Sequence, residues 1–478
     1  LPAQSQPENE ATRWLALTVL LAGGFLPPVD YFIVNVALPS IHTGLGTSPA
    51  ELQLVIGVYS AGYAVFMITG GRLGDLYGRR RLFLAGMAGF TIANLLCGVA
   101  TTPLQLLLGR AVLGVSAALL VPQVLATIRA LCSNDRDLAR ALSAYGVMMG
   151  LAAVTGQFAG GALVQWSPFD LGWRAVFLLK LPICLVVIAA AWRLVPETVG
   201  SSRAKLDLAG AAMVSAILVC VIVPVSKGRD LGWPAWVFEV LALVPFLVAG
   251  FLRYESRLSA RGGMPLVDVG LFAIPSFRRG VLVATLFFFT TSFYFLFGLY
   301  QQEGRGLDPF HTGLSIAPYG IGLFLGPLVS ANWVRLRPGL LAIGMGIQVT
   351  GYGGVAALVA LGTGELPLLA AVFVAGFGQG IAFPRLYNVV LGDVPPQQAG
   401  LAAGIVNSAL QVGSAVSAAA IGSVFFALLG AGQGERDYGF AFAVAQGTLT
   451  VALFAAMLTA IPRRREAVLR PVEGEGET

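Results

Sequence analysis

Fourteen stretches of this sequence stay apolar over the length that a helix needs to cross a lipid bilayer. A helical span takes about 20 mostly apolar residues, and runs of that kind lie at 14–38, 50–71, 82–101, 104–128, 141–164, 172–194, 207–225, 234–252, 276–302, 311–334, 339–362, 366–391, 398–429 and 439–461. Hydrocarbon offers no partner to a backbone N–H or C=O, so segments this long and continuous can span only as helices. The chain is therefore expected to be an all-α polytopic membrane protein. Its composition agrees, with 56% hydrophobic and 11% charged residues, against about a quarter charged in a soluble domain.

The charges that remain fix an expected orientation. Lys227, Arg229, Arg305 and Arg436 fall in one set of alternate loops, and Arg110, Arg174 and Lys180 lie within or at the edge of spans. All the other lysines and arginines fall in the set that includes both ends of the chain. Positive charge collects in short cytoplasmic loops, which places both termini in the cytoplasm. No basic cluster alternates with aromatics, so the excess of Lys and Arg (30 against 24 acidic residues) belongs to topology and not to nucleic acid. The start, LPAQSQPENEATRW, lacks the basic and apolar regions of a signal peptide and reads as a short tail.

Little here suits an enzyme. The four cysteines (Cys97, Cys132, Cys184, Cys220) lie far apart, and the two histidines, His42 and His311, sit near span ends. No HExxH, GxSxG or P-loop occurs, so neither a metal nor another cofactor is expected.

A weak repeat divides the chain. Ile56, Tyr59 and Gly62 in the second span recur in spacing as Ile316, Tyr319 and Gly322 in the tenth, and sixteen residues after each tyrosine stand Asp75 and Arg335. The implied units are a tail at 1–13, six helices in 14–195, an inserted helix pair in 196–260, six helices in 261–462 and a tail at 463–478. Parallel six-helix repeats with a site between them are a transporter plan.

Asp30 is the residue most out of place. It lies eight residues from the outer end of the first span, roughly 12 Å deep at 1.5 Å per residue, too far for a short side chain to reach water along the lipid face. Pro27 and Pro28, just before it, remove two backbone donors and should kink the helix. Irregular backbone at that depth lines a cavity. A buried carboxyl there is a candidate proton carrier, with Arg110 two turns into the fourth span as its partner, and a permanent Asp30–Arg110 ion pair is the alternative use of the same two residues.

Four segments carry a family resemblance. GGRLGDLYGRRRLF joins spans two and three, with Gly71, Gly74, Asp75, Gly78, Arg79 and Arg80 as its skeleton. The first span contains VDYFIVNVALPSI, with Asp30 and Asn35; the fourth contains LLLGRAVLGVSAALLVP, with Arg110 and Gly114; the sixth opens GWRAVFLLKLPI. Together with the count of spans, these resemble the major facilitator superfamily, in its fourteen-span drug:proton antiporter branch. The resemblance implies two six-helix bundles with two additional helices between them in sequence, and a cytoplasmic loop that latches one conformation. It also implies multi-pass residence in a bacterial inner membrane and monomeric export of lipophilic, cationic small molecules in exchange for protons.

Two positions depart from that branch. The fifth span reads GLAAVTGQFAGG, with Gln157 where proline is usual, and the sixth has Lys180 where asparagine is more common. They motivate an alternative substrate, a specific physiological metabolite, an anionic compound or a lipid. Asn35, Gln157 and Lys180 join Tyr294, Phe297 and Gln301 of the aromatic ninth span as candidate cavity residues. Tyr294 and Phe297 share a helix face at i, i+3 and suit a flat or lipophilic compound.

Overall fold

The structure is a computed structural model that describes residues 10–132, 134–198, 206–228, 231–330, 339–395, 398–430 and 434–460. Arg229, Arg335, residues 1–9 and the tail at 463–478 lie outside the described residues, while residues 10–13 of the expected first tail belong to the first helix. Fourteen helices among the described residues are long and apolar enough to cross a membrane. They are α1 (Glu10–Leu45), α2 (Pro49–Tyr77), α3 (Arg79–Gly98), α4 (Pro103–Leu131), α5 (Arg136–Trp166), α6 (Gly172–Leu194), α7 (Leu208–Lys227) and α8 (Ala235–Ala260). The rest are α9 (Pro275–Gly304), α10 (Pro309–Ser330), α11 (Leu340–Ala360), α12 (Glu365–Leu391), α13 (Gly400–Leu429) and α14 (Glu435–Ala460). An even number of crossings returns the chain to the face where it entered, called here the terminal face.

Local signals set the helix starts. Ser48 caps α2 in a reciprocal box with Glu51, ahead of Pro49, while Thr102 and Asn134 cap the helices that follow them. Each supplies an acceptor for an otherwise orphaned first-turn N–H.

Glycines let the helices approach closely, as small residues do where the surrounding lipid is as apolar as the side chains. Gly62 of α2 lies against the Ala111 carbonyl of α4, and Gly322 of α10 against the Phe373 carbonyl of α12. Contacts between the first six helices and the last six run along α5–α10, where Gly313 meets the Gln157 carbonyl, and along α2–α13, where Ser408 donates to the Ala64 carbonyl at 2.9 Å. The inserted pair is unequal. Ile222 of α7 packs on Gly57 of α2, and Ser423 of α13 donates to the Val225 carbonyl at 2.8 Å. Helix α8 instead exposes Phe238, Leu243 and Phe246, the face a bilayer would cover.

Helix α1 runs unbroken through Pro27, Pro28 and Pro39. The interruptions fall in α9, with a 3₁₀ turn at Phe288–Thr290 and a π turn at Tyr300–Gly304, and in α6. There a short helix, Ala175–Leu178, gives way to a second, Leu181–Leu194. Pro182 has no N–H for the Leu178 carbonyl, so the first helix cannot run on into the second with its ladder intact.

Candidate functional site: a buried cluster of one acid and two bases

Helices α1, α4 and α6 bring Asp30, Arg110 and Lys180 together. Asp30 is wholly buried and Arg110 is 1% exposed. Arg110 Nη1 donates to Asp30 Oδ2 at 2.5 Å, and Lys180 Nζ donates to the other oxygen, Oδ1. The guanidinium is held from two further sides: its Nε donates to the Val55 carbonyl at 3.0 Å, and its carbon lies 4.4 Å over the Tyr59 ring. The Tyr59 hydroxyl donates to the Pro27 carbonyl at 3.2 Å. Lys180 occupies the break in α6, with its nitrogen 5.2 Å from the centre of the Phe177 ring and 5.9 Å from that of Phe90. Three cation–π contacts and a two-sided carboxylate are the compensation that buried charges require.

Position 31 links the cluster to the last six helices. The Tyr31 hydroxyl lies 3.2 Å from Ser414 Oγ on α13, which lies 3.0 Å from Ser60 Oγ on α2. An aromatic path runs on from there. Tyr31 meets Phe32 edge to face with centroids 5.5 Å apart, Phe32 meets Tyr294 of α9 at 5.0 Å, and Tyr294 meets Tyr319 of α10 at 5.2 Å. Beyond it the Tyr319 hydroxyl bonds the Tyr352 hydroxyl at 2.8 Å and also donates to Gln379.

Of the candidate cavity residues, Asn35, Gln157 and Tyr294 lie along the contact between the two sets of six helices. Asn35 donates back to the Tyr31 carbonyl at 2.6 Å, and its Oδ1 has no partner. Gln157 is 2% exposed, and neither atom of its amide is hydrogen-bonded. Phe297 and Gln301 are turned into the last six helices: Phe297 packs between Phe293 and Phe442, and Gln301 donates to Ser315 and accepts from Arg305. An apolar groove of about 360 Å³, lined by Leu96, Leu108 and Val112 among others, lies between α3 and α4.

The loop between α2 and α3 is a compact clasp. Asp75 Oδ1 accepts from Arg79 Nη2 at 2.9 Å, and Arg79 Nη1 donates to the Ala126 carbonyl at 3.0 Å. The Arg80 N–H donates to Glu197 Oε1 at 3.0 Å, and the Arg80 guanidinium donates to the Val195 carbonyl at 3.3 Å. Gly78 stands at φ +102° against the Glu197 carboxylate, and Gly74 leaves room for the Gln123 amide, while Gly71 is loosely packed. These partners all belong to the first six helices or to the segment just after α6. Arg72, outside the expected skeleton, reaches further: it donates to the carbonyls of Met264 and Pro265, in the strap that leads into α9, at 3.0 and 2.5 Å.

Sequence reasoning paired Asp30 with Arg110 but did not join Lys180 to Asp30, 150 positions earlier. It missed Tyr31, Ser60 and Ser414: the first lies inside the quoted first-span segment and the second inside the repeat, but neither is part of the residue skeleton that either pattern picks out. The tyrosine repeat flagged Tyr59 and Tyr319 as a register and not as site residues.

Comparisons with known proteins converge. A family model described as Major Facilitator Superfamily matches residues 20–418. A probable actinorhodin transporter of Streptomyces coelicolor is 36% identical over 430 residues, covering 89% of this chain and 74% of that protein. A puromycin resistance protein of Streptomyces alboniger is 33% identical, covering 86% and 82%, and a cephamycin export protein of Amycolatopsis lactamdurans is 30% identical, covering 95% and 94%. The crystal structure of a bacterial homolog of the human lysosomal transporter Spinster superposes with a TM-score of 0.67 at 17% identity, covering 95% of this chain and 97% of that one, which is a likeness of fold.

Proposed function

This chain belongs to the major facilitator superfamily, and we propose that it exports lipophilic, cationic small molecules in exchange for protons. It is a multi-pass transporter of the bacterial cell membrane and not an enzyme. The names of its relatives, which speak of actinorhodin, puromycin and cephamycin, make antibiotic-like compounds the substrate class to try first. One chain supplies both sets of six helices, so a monomer is the working unit.

The observation that carries the proton coupling is the Asp30 carboxylate. It is buried away from lipid, held by Arg110 and Lys180, and one residue from a tyrosine bonded to α13. A change of charge anywhere in this cluster alters contacts of α1 with α4 and α6 next to a bond between the two halves, which is what alternating access needs. Loop charge makes the terminal face cytoplasmic. At the opposite face α1 and α9 touch, with Gln302 Nε2 donating to the Val36 carbonyl at 2.9 Å, so this conformation is closed toward the outside. Gln157, with an unsatisfied buried amide, and Tyr294 are the residues we assign to substrate, and the clasp around Asp75, Arg79 and Arg80 is the conformational latch.

Inverted vesicles test this. Addition of ethidium or puromycin should dissipate an imposed proton gradient in the parent protein and not in Asp30→Asn. Equal dissipation by that variant removes Asp30 from the mechanism. A second reading, an anionic substrate, is favoured by the same cluster, since two cations face one carboxylate. Protection of Lys180 from acylation by an organic anion, and not by ethidium, would select it.

A further inference from the structure

Asp30, Arg110 and Lys180 do not balance. One carboxylate meets two bases, so the fully ionised cluster carries one surplus positive charge in a place that water does not reach. Two proton movements can change that charge. Protonating Asp30 would leave two buried cations with no anion, whereas releasing the proton of Lys180 leaves the Asp30–Arg110 pair, neutral overall. Buried charge without a counter-charge is the most expensive state a low-dielectric site can hold, and the second movement is the one that avoids it. Arg110 cannot serve, because a guanidinium stays protonated in proteins, and the Val55 carbonyl and the Tyr59 ring hold it in place.

We propose that Lys180, and not Asp30, carries the exchanged proton, and that Asp30 stays ionised as the fixed anion of the site. This rests on the proton-coupling reading above and specifies its chemistry. The ammonium releases H⁺ to water at the terminal face, becomes an amine, and takes H⁺ back from the opposite face.

The surroundings of Lys180 fit the role. Among the described residues Asp30 is the only side-chain hydrogen-bond partner of its ammonium. The ionisable groups that face it are Asp30 of α1, Cys97 of α3, Arg110 of α4, and Cys184 one turn on in α6. It stands at the junction of the two segments of α6, where Pro182 leaves a carbonyl without its helical donor, and such breaks are where helix segments can shift. The arrangement also accounts for exchange at one place. Loss of the ammonium frees Asp30 Oδ1, and a cationic substrate fits beside that oxygen only when Lys180 is neutral.

The chain has three lysines, Lys180, Lys205 and Lys227, so Lys205→Arg with Lys227→Arg leaves Lys180 as the only one. With lysine labelled at the ε-carbon, the single NMR signal should show both ammonium and amine forms over the pH range in which the parent protein couples export to protons. Infrared difference spectra over the same range should show no protonated carboxyl band that disappears in Asp30→Asn. An ammonium signal throughout, or such a band, overturns the proposal. In proteoliposomes, Lys180→Met should let ethidium equilibrate without moving protons, and continued proton movement by this variant also overturns it. Parent vesicles that move ethidium with no protons would sink the coupling reading itself, while the NMR signal still reports the state of Lys180.

Discussion

Gly114 of α4 lies directly on the backbone carbonyl of Tyr59 in α2, and a Cβ at that position would overlap the oxygen. Gly376 of α12 lies in the same way on the Tyr319 carbonyl of α10. The repeated Ile, Tyr and Gly spacing thus marks one helix crossing made twice, once in each set of six. Backbone cannot retreat as a side chain can, so Gly114→Ala or Gly376→Ala should each cost about 1–3 kcal/mol in unfolding measured in detergent. Gly146→Ala, where the added methyl meets nothing within 4 Å, should instead stabilise by about 0.5–1 kcal/mol, the helix-interior difference between glycine and alanine.

Asp30→Asn removes the anion and leaves Arg110 and Lys180 as buried like charges. Breaking a buried pair on one side costs about 3–5 kcal/mol, so the variant should melt well below the parent. Adding Lys180→Met should recover part of that loss, because one of the two cations goes with it. A double variant no more stable than Asp30→Asn alone would show that the surplus charge is compensated elsewhere.

The clasp between α2 and α3 depends on one glycine. Gly78 combines a φ of +102° with the Glu197 carboxylate in the space a Cβ would fill. Gly78→Ala should lose on the order of 1–3 kcal/mol from backbone strain alone. Glu197→Ala removes the clash but not the strain, so Gly78→Ala with Glu197→Ala should stay less stable than Glu197→Ala by thermal unfolding.

The strap into α9 should loosen in acid. Burial alone would raise the Asp207 carboxyl, but hydrogen bonds from the Gly210 N–H, the Tyr254 hydroxyl and the Leu266 N–H help to outweigh it and hold it below the usual carboxylate range. A lowered pKa means that the carboxylate stabilises the fold above its unfolded value, near 3.9, and that this is lost as pH falls through the folded value. Hydrogen exchange at Leu266, corrected for its intrinsic rate, should therefore accelerate in that acid window. Asp207→Ala should exchange fast already at neutral pH.

Ser60 and Ser414 hold α2 to α13, with their Oγ atoms 3.0 Å apart. Cysteines at both positions should form a cross-link under mild oxidant and stop transport until reduced. Transport that persists with the cross-link complete would show that these two helices do not separate in the cycle.

Much of the fold was legible because membrane residence leaves a long, uniform signal. Each apolar run had to become a helix, whatever its neighbours, to satisfy its own backbone. Single residues were legible where they broke that uniformity, as Asp30, Arg110 and Lys180 do. The pairing of Asp30 with Arg110 was anticipated, but the arrival of Lys180 on the same carboxylate was not, since α1 and α6 become neighbours only through packing. The same limit applies to Tyr294 and Phe297, which lie in one regular stretch of α9 and share a helix face by spacing, yet Tyr294 meets Phe32 of α1 while Phe297 packs on Phe442 of α14. The unbroken course of α1 through its prolines was equally invisible, since backbone groups freed by proline can find other partners.

By itself the sequence determined the class, the number of crossings and the resemblance to a transport family, because those follow from segment length, composition and local motifs. Tertiary structure alone decided that one carboxylate serves two bases, that Lys180 sits at a break in its helix, and that a tyrosine next to Asp30 touches the opposite half. The physical reason is that charge balance in a buried site is a property of what surrounds it. Hydrophobic periodicity reports that a residue is inside and says nothing about which distant side chain shares its proton.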